Sequence, residues 1–137
     1  VVYTEAVKID HINIAAPRAL LVKVRDFYCT ALQLEDGPRP DFGIPGYWLY
    51  GGGKPILHLI ESDNHQGSSK PYYLDHVAFE VEDLQSYTER LDQLGVEYSV
   101  KHIPDFNISQ VFCHDPCGIG VEANVVSKAP ERRDTAP

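Results

Sequence analysis

Four residues of types that ligate transition metals recur at matched positions in the two halves of the chain: His11, His58, His76 and Glu122. His11 sits in the alternating run DHINIA and His76 in DHVAFE, 65 residues later; His58 lies in PILHLIE and Glu122 in IGVEANV, 64 residues later. Within each half the two candidates are 47 and 46 residues apart. Three imidazoles and a carboxylate converging on one point repel one another when the imidazoles are protonated, and are costly to bury unpaired. A divalent cation resolves both problems. The donor set suits Zn, Ni, Fe(II), Mn or Co, and not Ca or Mg, which prefer oxygen shells. A single His in a strand is ordinarily a surface or satisfied core residue, so the recurrence carries the argument for His11, His58, His76 and Glu122 as metal ligands.

The elements that would position these residues repeat as well. Val7 to Ala15 (VKIDHINIA) alternates as a half-buried strand does, and from Arg18 to Leu34 the apolar residues Leu20, Leu21, Val24, Phe27, Tyr28, Ala31 and Leu32 mark one face of a helix. A Gly- and Pro-rich stretch from Gly37 to Gly46 leads to the strand GYWLY, the turn GGGK and the strand PILHLIE. In the second half, YLDHVAFEV is a strand, Glu82 to Leu94 a helix closed by Gly95, and VEYSVKHI, ISQVFCH and GVEANVV are strands, with a DPCG turn before the last. Both halves spell βαβββ. The expected fold is α+β: two βαβββ modules, about 7–62 and 72–126, paired about a pseudo-twofold axis as curved mixed sheets around a metal-binding cavity, in a single domain with a flexible tail over 128–137.

Composition narrows the partners. The 137 residues carry a formal charge of -8, from 20 Asp plus Glu against 12 Lys plus Arg, which speaks against nucleic acid or an anionic membrane. Hydrophobic residues at 43% exclude a disordered chain. No stretch suits a bilayer span and the first ten residues show no signal pattern, so the expected location is cytoplasmic. Cys29, Cys113 and Cys117 are odd in number and read as isolated thiols rather than a disulfide framework or a zinc knot. Trp48, Tyr47, Phe42, Phe106 and Phe112 are candidates for an apolar substrate wall, with Trp48, Phe106 and Phe112 the expected substrate-binding set. His65, in a polar loop, and His114, before the DPCG turn, read as solvated.

From Lys8 to Val125 the sequence resembles the vicinal oxygen chelate superfamily, which includes glyoxalase I, extradiol dioxygenases, fosfomycin-resistance thiol transferases and bleomycin-resistance proteins. The marks are IDHINIA, RDFYCTALQLE, PILHLIE, LDHVAFEV and DPCGIGVEANV. The resemblance implies a metal held at the positions of His11, His76 and Glu122, and a small substrate chelating it through two neighbouring oxygens. His58 falls where the superfamily has Glu, Gln, His or a non-ligand, and is either a fourth ligand or an acid/base. Glyoxalase I has a proton-moving Glu there, so His58 is a departure from it. Two His and one Glu also match the facial triad of Fe(II) oxygenases. The extradiol closing signature is approximated by His102, Asp115-Pro116-Cys117-Gly118 and Glu122, with Phe112 in place of its Tyr; acid/base work then falls to His58 or His102. The resemblance therefore implies dioxygenase or lyase/isomerase chemistry in a homodimer, with a bleomycin-resistance-type binding protein as the alternative.

Overall fold

In a computed structural model that describes residues 9–65, 74, 76–104 and 108–126, the chain forms two compact units. The first comprises β1 (Ile12–Ala16), α1 (Arg18–Ala31), β2 (Glu35–Gly37), β3 (Gly46–Gly51) and β4 (Lys54–Glu61). The second comprises β5 (His76–Glu80), α2 (Leu84–Leu94), β6 (Ser99–Ile103), β7 (Ile108–His114) and β8 (Gly120–Val126). Each is a four-stranded mixed sheet, ordered β1-β4-β3-β2 and β5-β8-β7-β6, with its first and last strands paired in parallel. The expected βαβββ repeat is thus present in both units.

Alternation along the strands separates two faces in each sheet. In the first unit Ile14, Ala16, Leu49, Leu57 and Leu59 point to one side and are buried under Leu21, Val24, Phe27, Tyr28 and Ala31 of α1. Tyr47 shares that side, and Arg25 of α1 lies over its ring at 4.8 Å. In the second unit Tyr87 and Leu91 of α2 are buried with Val111, Cys113, Val121 and Ala123, and the Tyr87 hydroxyl meets the Cys113 thiol at 3.7 Å. Burial pushes both the Tyr87 phenol and the Cys113 thiol up, so each stays protonated near neutrality. The opposite sheet faces carry the polar and aromatic residues.

Several boundaries differ from the sequence expectation for local reasons. The first helix ends at Ala31 rather than Leu34 because Gln33 takes a left-handed φ of 57° and Leu34 N–H turns back to the Tyr28 carbonyl. The second starts at Leu84 because Asp83 caps it, its carboxylate accepting from Gln85 and Ser86 backbone N–H groups. Gly95 closes it with φ 68°, Val96 N–H bonding the Leu91 carbonyl, so β6 begins three residues later than the pattern VEYSVKHI suggests. In the DPCG turn the Asp115 side chain accepts from Ile119 N–H at 2.9 Å, and Gly118 has φ 85°. The expected start of the first strand at Val7, most of YLD before His76, and the tail over 128–137 lie outside the described residues.

Two stability outcomes follow. Leu49→Ala, which empties a fully buried position at the centre of the first sheet, is expected to cost about 2–5 kcal/mol in urea unfolding. Gly95→Ala should cost about 1–2 kcal/mol, since an added Cβ meets no atom within 4 Å and only the left-handed backbone penalises it; Gly95→Asn should lose visibly less in the same experiment.

Candidate metal and substrate site

The sheet registers turn the sequence repeat into geometry. In the first unit Asn13 pairs with His58, and His11 stands two residues before Asn13, on the same face. In the second unit Ala78 pairs with Glu122, and His76 stands two residues before Ala78. Each unit therefore places its two candidate donors with the same offset, on the sheet face turned away from its helix.

In the first unit Trp48 lies opposite His58 across β3 and β4. The three rings form a column: His11 on His58 at 3.8 Å with planes 10° apart, and His58 on Trp48 at 4.3 Å with planes 13° apart. A carboxylate can only accept, so the 2.6 Å contact from His11 Nδ1 to Asp10 fixes the hydrogen on Nδ1 and leaves the Nε2 lone pair of His11 free. This contact also holds the Asp10 carboxyl below the usual carboxylate range. By the same logic His58 Nε2, 3.1 Å from the Pro55 carbonyl, carries a hydrogen and leaves Nδ1 as the basic atom. Burial above all pushes the His58 pKa down, partly opposed by the bond to Pro55 and by Asp10. His58 is a neutral imidazole at neutral pH.

The column forms one wall of a cavity of about 570 Å³. Asp10, Asn13, Arg39 and Phe42 complete its polar and aromatic lining. Phe42 tilts toward Trp48 at 6.1 Å, and the Arg39 guanidinium lies 4.9 Å from the Phe42 ring centre. Trp48 lines this cavity, while Tyr47 faces the helix.

In the second unit His76 Nε2 and Glu122 Oε2 are 3.8 Å apart. That is too long for a hydrogen bond but shorter than two metal–ligand bonds of about 2.1 Å end to end, so one ion can touch both. The Glu122 side chain is 11% exposed and accepts from Asn124 Nδ2 at 3.3 Å. Phe112 pairs with Glu122 across the strands and meets the His76 ring edge-on at 5.1 Å. Phe106 lies outside the described residues.

Not every candidate joins these pairs. His102 pairs with Ser109, and Ser109 with Val125, three residues along β8 from Glu122. An odd offset puts His102 on the helix-bearing face at the edge strand, where it bonds Ser109 Oγ at 3.0 Å, so the expected acid/base role for His102 is not supported. His65 and His114 are exposed, as expected. In neither unit do three described His, Cys, Asp or Glu side chains converge as a metal cluster.

A metal fits these donors selectively. His11, with its far nitrogen tied to Asp10, has the arrangement of a supported imidazole ligand. His76 and Glu122 have a suitable separation. His58 fits less well: its ring is parallel to that of His11, so their in-plane lone pairs run side by side and cannot meet at one ion without a ring rotation. Sequence reasoning did not single out Asp10, Asn13 or Arg39. Asp10 was visible as the first residue of the DH pair; Arg39, in a Gly- and Pro-rich loop, gave no signal.

Solved structures share this fold. A fosfomycin resistance protein from Listeria monocytogenes is 19% identical over 89% of this chain and 95% of its own, with a TM-score of 0.69. A lactoylglutathione lyase from Agrobacterium tumefaciens is 17% identical over 89% and 96%, with a TM-score of 0.63. A glyoxalase family protein from Enterococcus faecalis is 25% identical over 85% and 96%, with a TM-score of 0.62. No curated protein matches the sequence. The family model described as Glyoxalase/Bleomycin resistance protein/Dioxygenase superfamily matches residues 8–123. With that family model spanning most of the chain and a βαβββ unit in each half, this protein belongs to the glyoxalase/bleomycin resistance/dioxygenase superfamily.

Proposed function

We propose that the protein is an enzyme dependent on one divalent transition metal (Fe(II), Zn, Ni, Mn or Co), acting on a small substrate that presents two neighbouring oxygens to the ion. His11, His76 and Glu122 are the ligands, and His58 is an acid/base. The observation that supports this reading most is the equal offset of the two pairs: in both units a His stands two residues before the strand partner of the second candidate, on the face opposite the helix. Core packing alone gives no reason for ionisable groups at both matched positions.

When bound, the metal supplies Lewis-acid polarisation of the chelated oxygens. The chain supplies the rest. Asp10 keeps His11 in the tautomer that exposes Nε2. Pro55 does the same for His58, leaving Nδ1 to accept a proton. Phe112 and Trp48 give the substrate apolar surfaces. The reaction class is either dioxygenase or lyase/isomerase, in a cytoplasmic homodimer. Among the described residues no helix is long and apolar enough to cross a membrane.

The alternative, a small-molecule binder of the bleomycin-resistance type, is favoured by one observation: the closed stack of His58 between His11 and Trp48, which resembles the wall of a ring-binding cavity. Metal analysis separates the two. Protein purified without added metal is expected to carry a transition metal near one per chain; His11→Ala, His76→Ala and Glu122→Gln should each weaken metal affinity tenfold or more, and His58→Gln by less than twofold. Metal-free protein that is unchanged by these substitutions refutes the enzyme reading. With iron bound, oxygen uptake on a catechol panel is expected for the dioxygenase branch; with Ni, Co or Zn bound, the lyase/isomerase branch.

The pH profile gives an independent check on His58. A base with a lowered pKa stays unprotonated further into acid, so the acid limb of kcat/KM should fall below pH 6.5, the ordinary imidazole value. His58→Gln should lower kcat by about 100-fold or more and remove that limb.

A further inference from the structure

Arg39 belongs to no element of the repeat, yet it is held firmly. It lies in the loop between β2 and β3, with its guanidinium facing the Phe42 ring at 4.9 Å. On another side it rests against Gly46: a Cβ there would come within 3.0 Å of an Arg39 terminal nitrogen and 2.2 Å of the Leu59 carbonyl. Glycine is therefore required both for β3 to pair with β4 and for Arg39 to keep its place. The Arg39 Nε is shielded from solvent and meets no acceptor among the described residues. With no carboxylate paired to it among the described residues, the guanidinium keeps its charge and its remaining N–H donors for a ligand, and an oxyanion answers both.

The rest of the cavity defines what such an anion would be attached to. Phe42, itself 56% exposed, and Trp48 offer aromatic surfaces beside Arg39, and Ile60 adds an aliphatic one. The one carboxylate in the lining, Asp10, is engaged by His11 at 2.6 Å. An incoming anion is thus drawn to Arg39 rather than to the Asp10 side.

We infer that this cavity takes a small molecule with a flat unsaturated body and one oxyanion, a carboxylate or phosphonate, anchored by Arg39 and stacked against Phe42 and Trp48. The inference rests on the proposed function only for the statement that the molecule is a substrate. Binding itself needs no metal.

Trp48 is the only tryptophan in the chain, so its fluorescence reports on this wall alone. EDTA-treated protein titrated with benzoate, phenylphosphonate and benzyl alcohol should show saturable quenching by the anions and at least tenfold weaker binding of the neutral alcohol. The two anions together separate carboxylate from phosphonate preference. Arg39→Gln should weaken anion binding tenfold or more with an unchanged circular-dichroism melt, and Arg39→Lys, which keeps the charge without the fork, should fall between. Equal binding of benzyl alcohol and the anions, or a folded Arg39→Gln that binds benzoate as the wild type does, overturns the inference. If Arg39→Gln unfolds, added salt decides on the wild type: benzoate binding must weaken with ionic strength, and salt-independent binding refutes it. Anion binding through Arg39 in a protein that takes up no metal would refute the enzyme reading and leave this one standing; metal uptake without Arg39-dependent binding would do the reverse.

Discussion

The parallel pairing of the first and last strands in each unit is the constraint on which the rest of the molecule depends. Parallel neighbours cannot be joined by a tight turn, so a crossover must lie between them in sequence, here a helix and two further strands. This fixes the helix against one sheet face and frees the other. The register of that pairing then decides which residues share the free face, and a slip of one residue would carry every side chain of the strand to the wrong side. His11 with His58, and His76 with Glu122, owe their common faces to this register.

The two free faces are chemically unlike. In the first unit the column of His11, His58 and Trp48 is flat, partly desolvated and flanked by a cation, an environment that keeps an imidazole neutral and gives a ring something to lie on. In the second, a nearly buried carboxylate stands with an imidazole beside one aromatic ring, an environment that asks for positive charge. The repeat sets the positions; the residue types at them give one pair the character of a binding wall and the other that of an anionic donor set.

The repeat was legible in the sequence because strand periodicity and fixed spacing survive without any knowledge of tertiary contacts. The αL cap at Gly95 and the DPCG turn were legible for the same reason, since their chemistry is local. What escaped depended on register or on rotamers. The side of the sheet taken by His102 follows only from its pairing through Ser109 to Val125. The parallel stacking of His58 on His11 is a rotamer outcome that spacing cannot foretell. Arg39 escaped because a loop side chain is placed by what it touches, here Phe42 and the bare backbone of Gly46, and neither contact has a sequence period.

One edge strand of each sheet, β2 in the first and β6 in the second, has a consequence for solubility. β2 ends the first sheet with three residues, two of them Glu35 and Asp36, and β6 ends the second with Lys101 at its middle. A strand so short, or one carrying a charge that an incoming chain would have to desolvate, is a poor template for edge-to-edge growth. These two edges thus resist the edge-to-edge addition of one molecule's sheet to another's that would lead toward fibrils.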